Sequence, residues 1–243
     1  MNKIYLEFLY FLIYNKKNKR KEIYIMAKLY FTHGPMGSSK SAMALMTQYN
    51  YEQQGYNVLL LKLDIDTRDG AFIKSRALAS QKSCLLFSST DDLKEILLQE
   101  EIKGKRYDAI IVDEAQFLTK SHVEQLKDIT MYKNIDVFCY GLKTNYATEL
   151  FEGSKRLCEL ADSERELKSI CKCKNKATIN ALKINGKVVK KVLGNCDILI
   201  GDTNSKDVYT YEPMCYKCWE ESESYKKEDL VDIQVGKSNI EAK

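Results

Sequence analysis

The sequence predicts an α/β fold, a parallel sheet flanked by helices, followed by a small second unit rich in cysteine. Three observations carry this. From Lys28 onward, short apolar runs alternate with segments of helical periodicity. Two of the runs, Val58–Leu63 (VLLLKL) and Ala109–Val112 (AIIV), are almost continuously apolar, as strands covered on both faces must be. After about residue 165 the alternation fades and cysteines cluster.

Taken in order, Lys28–Thr32 (KLYFT) reads as the first strand. Ser38–Glu52 spaces Ala42, Leu45, Met46 and Tyr49 as a helix does. Val58–Leu63 is a buried strand, and Cys84–Phe87 another. Asp91–Glu101 opens with two acids after Thr90, a helix start. Ala109–Val112 is a central strand, Ser121–Thr130 a helix, and Val137–Tyr140 a further strand. Strands joined through helices make right-handed crossovers, so helices lie on both faces. Beyond residue 165, Lys187–Leu193, Ile198–Ile200 and Val208–Tyr211 read as short strands. The polar tail, Tyr225 to Lys243, is expected to fray.

Composition bounds the function. With 44% hydrophobic and 30% charged residues among 243, the chain is globular rather than disordered. No run reaches the roughly 18 apolar residues that span a bilayer. The net charge of +4 belongs to residues 1–25, where Lys3, Lys16, Lys17, Lys19, Arg20 and Lys21 face only Glu7 and Glu22. The remainder is balanced and lacks the basic excess that draws nucleic acid. Neither nucleic acid nor membrane is expected as a partner. Within 1–25 an apolar run, Ile4 to Tyr14, precedes the basic cluster, the reverse of a secretory signal. A dispensable extension is expected there, with Met26 as the working start; surface attachment to a membrane and a packed extra helix are the alternatives. A cytoplasmic location with reduced thiols follows from the missing export signal.

The first strand runs into Gly34-Pro35-Met36-Gly37-Ser38-Ser39-Lys40-Ser41 and then a helix. Backbone N–H groups of such a turn cradle phosphate oxygens at the helix N-terminus. Lys40 would neutralise the β/γ phosphates of ATP and the Ser41 hydroxyl would ligate Mg²⁺. Ser39 stands where the usual pattern has glycine, and its Cβ crowds a backbone that must approach phosphate closely. The bland alternative is an ordinary glycine turn.

Two further acidic strand ends are expected on the same edge of the sheet, where ligands bind in open α/β folds. Ala109–Val112 leads into Asp113-Glu114-Ala115-Gln116-Phe117. Asp113 can hold Mg²⁺ and Glu114 can take a proton from an attacking hydroxyl or water. The alternative is a pair of solvated loop acids. After Val58–Leu63 comes Asp64-Ile65-Asp66-Thr67-Arg68, where Asp66 could assist the metal and Arg68 could stabilise transferring phosphoryl charge.

Eight cysteines are present. Cys84 and Cys139 lie in strand-like runs and read as core thiols. Cys171-Lys-Cys173 and Cys215-Tyr-Lys-Cys218 form two close pairs, and paired thiolates suit tetrahedral Zn²⁺. The first pair is C-x-C rather than the commoner C-x₂-C, so Cys158 or Cys196 could replace one ligand. Four thiolates leave no open position, which makes the zinc structural.

Together, the loop G-P-M-x-S-x-K-S, the D-T-R turn, the D-E-x-Q-F strand end and the two cysteine pairs resemble the type II thymidine kinases, the cellular and bacterial kind, from about Lys28 to Trp219. The resemblance implies a P-loop (RecA-like) parallel sheet flanked by helices, with a small C-terminal zinc-ribbon or lasso domain. It implies an ATP-dependent thymidine kinase that makes thymidine monophosphate, with deoxyuridine a further acceptor. On this reading residues 26–165 bind nucleotide, 166–224 form the zinc-binding lasso domain, and 1–25 and 225–243 are the extension and the tail. Gly34–Ser41 would bind the ATP phosphates together with Asp66, Arg68, Asp113 and Gln116, and Met36 would border the nucleoside. Glu114 would deprotonate the 5′-hydroxyl. Phe117, Leu142 and Tyr146 would line the base pocket, the latter two from Gly141-Leu142-Lys143-Thr144-Asn145-Tyr146. That segment usually has Asp where this chain has Lys143 and ends in Phe. The span between the cysteine pairs matches a lasso loop that closes over the nucleoside. Ile198, Ile200, Gly201 and Asp202 would hold the base there, and Tyr211 would contact substrate. The family resemblance further implies a homotetramer and feedback inhibition by thymidine triphosphate.

Two rivals stand beside it. A P-loop ATPase would use Glu114 to activate water. A zinc-ribbon nucleic-acid binder would use the lysines between Cys171 and Cys218.

Overall fold

The computed structural model describes residues 26–65, 70–191 and 209–225. Its centre is a six-stranded parallel sheet. In chain order the elements are β1 (Leu29–His33), α1 (Lys40–Gln53), β2 (Val58–Leu63), β3 (Phe72–Ser75), β4 (Ser80–Ser83), β5 (Leu85–Phe87), α2 (Leu93–Ile102), β6 (Ala109–Asp113), a 3₁₀ turn (Ala115–Phe117), α3 (Lys120–Lys133), β7 (Asp136–Gly141), α4 (Glu152–Leu160) and β8 (Ser163–Glu166). The strand order is β5-β2-β6-β7-β1-β8.

Alternate residues of each strand feed opposite faces. Leu59, Leu61, Ile110, Val112, Val137 and Cys139 pack against Leu93 and Leu97 of α2, Val123 and Leu126 of α3 and Leu157 of α4. On the other face, Leu60, Ile111 and Tyr140 meet Ala44 and Leu45 of α1 and Ile73 of β3. The middle strands are therefore almost continuously apolar, with Lys62 and Asp113 the buried exceptions in β2 and β6, and the expected runs have their cause in this two-sided cover.

The small second unit follows: β9 (Ser169–Ile170), β10 (Lys176–Ala177), β11 (Ile179–Ile184), β12 (Lys187–Val188), β13 (Tyr209–Met214) and α5 (Tyr216–Glu221). β11 is the middle of an antiparallel sheet ordered β12-β11-β13. Its odd residues Ile179 and Ala181 face Cys171, Cys215 and Trp219. Its even residues Leu182 and Ile184 face Tyr146 of the first unit.

The structure corrects several sequence expectations. Cys84 precedes β5 and is half-buried, so of the two thiols read as core Cys139 alone is fully buried. The strand expected over Lys187–Leu193 is two residues long where it is described. Helix α3 runs from Lys120 to Lys133, beyond both expected ends, because Thr119 caps it and Asn134 closes it in a left-handed conformation. The antiparallel hairpin β3–β4, helix α4, the edge strand β8, strand β11 and helix α5 have no counterpart among the expected elements. Residues 1–25, Ile198–Ile200, Val208, the tail beyond Tyr225 and Cys196 lie outside the described residues.

Candidate active site

β1 ends at His33 and α1 begins at Lys40, so residues 34–39 form the turn between them. Gly37 takes φ +74°, a conformation that glycine adopts without strain. Ser39 takes φ +65° as the residue preceding α1, with no side-chain cap. The missing glycine of the sequence pattern is therefore met by a serine in left-handed backbone, at some conformational cost. The Ser38 hydroxyl is buried without a hydrogen-bond partner. Leaving a buried donor unmet is costly, and a phosphate oxygen seated in the turn would satisfy this one.

Lys40 folds back over the turn. Its Nζ donates to the carbonyls of Gly34 at 3.0 Å and Pro35 at 2.9 Å. Burial lowers the affinity of this ammonium for its proton, while Glu114 and Asp113 oppose that shift. The lysine thus lies within the field of both acids. The Ser41 hydroxyl donates to Asp113 Oδ2 at 3.0 Å. Burial, and then the neighbouring Glu114, push the Asp113 carboxyl up to about 7. This hydroxyl–carboxylate pair is a donor set suited to Mg²⁺.

Glu114 is the first residue past β6 and sits at φ +52°, unusual for a non-glycine residue. Such strain persists where the surroundings fix it. Gln116 is part of that fixing. It is 2% exposed, donates through Nε2 to Glu114 Oε2 at 2.6 Å, and accepts the Leu142 N–H through Oε1 at 2.9 Å. Gly141 permits this approach: a Cβ there would lie 2.8 Å from Gln116 Oε1 and 2.9 Å from its backbone nitrogen. Gln116 therefore links the β6 and β7 ends and orients Glu114.

Phe117 is half-buried and meets Phe151 edge-on, with ring centroids 6.1 Å apart. Leu142 and Tyr146 are 3% and 1% exposed. Tyr146 packs on Leu182, Ile184 and Val189, and Tyr211 joins the same cluster. Two residues 65 apart in sequence thus share one wall. Lys143, the departure from the family segment, pairs with Glu164 at 2.7 Å, and His33 meets the same oxygen at 2.8 Å. A cavity of about 250 Å³ opens between the phosphate turn and the second unit, lined by Gly34, Pro35, Lys143, Thr144, Thr178 and Asn180 among others. Asp66, Arg68, Ile198, Ile200, Gly201 and Asp202 lie outside the described residues.

Cys171, Cys173, Cys215 and Cys218 come together, their sulfurs all within 4.8 Å of one another. Zn–S bonds of about 2.3 Å in a tetrahedron require sulfur separations of about 3.8 Å, so the cluster is compatible with structural zinc. The backbone N–H of Asn175 is the main influence holding Cys173 down to about 6, which favours a thiolate. The unusual C-x-C spacing is accommodated because Cys171 and Cys173 both lie in the tight turn between β9 and β10, while Cys215 caps α5.

Sequence reasoning missed Asn180 of β11, whose side chain reaches the phosphate turn. Met36 N–H donates to its Oδ1 at 2.7 Å. No local pattern signals a contact over 144 residues.

A family model described as thymidine kinase matches residues 27–219. The thymidine kinase of Haemophilus influenzae (strain ATCC 51907 / DSM 11121 / KW20 / Rd) is 42% identical over 183 residues, covering 74% of this chain and 92% of that protein. That of Legionella pneumophila (strain Lens) is 39% identical over 181 residues, covering 74% and 85%. That of Francisella tularensis subsp. tularensis (strain SCHU S4 / Schu 4) is 37% identical over 198 residues, covering 81% and 98%. With the loop, the acidic strand end and the four-cysteine cluster on one scaffold, the chain belongs to the thymidine kinase family, in its type II branch, whose members are phosphotransferases acting on thymidine.

Proposed function

We propose that the chain transfers the γ-phosphoryl group of ATP to the 5′-hydroxyl of thymidine, with Glu114 as general base. One observation carries the reading: the Ser41 hydroxyl, next to Lys40, donates to Asp113 Oδ2 at 3.0 Å, and Glu114 follows Asp113, so the glycine-serine turn and the acidic strand end meet at a single edge of the sheet. The chemistry asks the protein mainly to position reactants and to neutralise charge. Gly34–Ser41 cradles the phosphates through those of its N–H groups that Gly141, Asn180 and Pro35 do not already engage, and Lys40 exchanges its two carbonyl partners for phosphate oxygens. Ser41 and Asp113 would hold Mg²⁺, which would supply neutralisation of phosphate charge. Asp66 and Arg68 complete the nucleotide contacts. Glu114, aimed by Gln116, accepts the 5′-hydroxyl proton as the phosphorus–oxygen bond forms, and ADP leaves with the electrons of the broken bond.

Residues 26–165 serve as the nucleotide-binding unit and 166–224 as the lid-bearing unit. Met36, Phe117, Leu142, Tyr146 and Tyr211 border the nucleoside, and Ile198, Ile200, Gly201 and Asp202 close over the base. The four clustered cysteines hold zinc, which anchors the two ends of that span. A homotetramer, inhibition by thymidine triphosphate, a salvage role and a cytoplasmic location complete the reading. Among the described residues no helix is long and apolar enough to cross a membrane. Against a nucleic-acid surface, Lys172 and Lys183 pair with Glu212, Lys176 with Glu166, Lys187 with Glu223 and Lys190 with Glu220.

The test is ATP consumption with each of the four deoxynucleosides and with none. Consumption that requires thymidine, with thymidine monophosphate as product, is the expected result. Hydrolysis that is indifferent to thymidine would identify an ATPase instead.

A further inference from the structure

Asn180 is 4% exposed and shares the even-numbered face of β11 with Leu182 and Ile184, which cover Tyr146. From there it reaches two segments of the first unit. Its Oδ1 accepts the Met36 N–H at 2.7 Å, and its Nδ2 donates to the Thr144 carbonyl at 3.4 Å. The Met36 N–H and the Pro35 carbonyl belong to one planar peptide unit. That carbonyl receives Lys40 Nζ at 2.9 Å and Ser38 N–H at 3.2 Å. Holding the N–H end of a rigid plane fixes the direction of its carbonyl, and this carbonyl is one of the two on which Lys40 rests.

We propose that Asn180 is a positioning residue for phosphoryl transfer: from the second unit it clamps the Pro35–Met36 peptide and so sets the shape of the phosphate turn and the resting place of Lys40. This deepens the functional reading above and rests on Lys40 meeting the ATP phosphates. The clamp acts through Lys40 and the turn. Its second hydrogen bond ties the same amide to the segment that carries Tyr146, so the phosphate side and the base side share one buried strut.

Two substitutions in the full chain separate the clamp from simple packing. Asn180→Leu keeps the volume and removes the acceptor. Asn180→Asp keeps an oxygen for the Met36 N–H. Both lose the Thr144 contact, so the difference between them isolates the clamp. ATP affinity by calorimetry, both KM values, kcat and bound zinc are measured on each. Removing a buried acceptor shifts an equilibrium by about tenfold. Asn180→Leu is expected to weaken ATP binding and raise the KM for ATP by about that factor, with a lower kcat. The loss is expected to be several-fold larger for ATP than for thymidine, whose site shares Met36 and the Tyr146 segment with the strut, and zinc is expected at the wild-type level. Asn180→Asp is expected to recover part of the lost ATP affinity. An unchanged ATP affinity in Asn180→Leu overturns the proposal. So does an equal loss for ATP and thymidine with Asn180→Asp no better than Asn180→Leu, the pattern of a residue that merely packs. Should Asn180→Leu not fold, Asn180→Ala takes its place, and either of the same two outcomes overturns the proposal. A wild-type chain that turns over ATP without thymidine overturns the functional reading instead, and the clamp then stands or falls on ATP affinity alone.

Discussion

Glu100 is a carboxylate 4% exposed, and it is held ionised by its neighbours. Lys103 donates at 2.7 Å, Lys105 at 2.6 Å and Tyr107 at 2.9 Å. These donors, Lys103 first, hold it down to about 2 from an ordinary 4.5. A carboxylate depressed on folding stabilises the protein above its unfolded value, and that stability is lost as pH falls through the folded one. The window is therefore about pH 4.5 down to 2. Lys103 and Lys105 stay 60% and 56% exposed, so screening holds the contribution to about 1 kcal/mol. Denaturant unfolding across that window is expected to show a steeper loss in the wild type than in Glu100→Gln. Parallel curves would show that the network contributes nothing. Residues of this kind were only partly legible. Ser39 stood out because the loop pattern asks for glycine there. The positive φ of Glu114 did not, since nothing in the letters Asp-Glu-Ala fixes a backbone angle.

At the scale of the element, α3 shows what sets a boundary. Its Thr119 hydroxyl accepts the His122 N–H at 3.2 Å, and His122 Nδ1 accepts the Thr119 N–H at 3.4 Å. His122 Nε2 lies 3.0 Å from the Asp91 carbonyl, so the ring is buried with both nitrogens engaged. Thr119→Ala is expected to cost about 1 kcal/mol of stability, read as a shift in the denaturation midpoint; an unmoved midpoint would mean the cap is idle. Apolar periodicity located α3 but not this cap. Periodicity also located β2, β6 and β7, because each is buried on both faces. It could not locate β8, whose Ser163–Glu166 is exposed throughout, since that edge strand is defined by its pairing with β1. β11 escaped notice for the opposite reason: INALKI is buried at five of its six positions and gives no two-fold alternation.

Over the whole molecule, the local motifs were more legible than the packing. The phosphate turn, the Asp113-Glu114 pair and the cysteine pairs are local motifs, and a parallel sheet carries its strand ends to one edge regardless of loop detail. What joins the two units is non-local. Tyr146 under Leu182 and Ile184, and Asn180 on Met36, depend on the parity of β11 and on how the small sheet is turned, and the sequence encodes neither in a short window. The central claim is that Lys40 and Glu114 serve one reaction, the first holding phosphate and the second taking the proton. Glu114→Gln tests it most directly, with ATP affinity and γ-phosphate transfer to thymidine measured on the same preparation. The expected result is ATP affinity within about twofold of wild type and transfer slower by at least about 100-fold. A variant that keeps most of its kcat would contradict it.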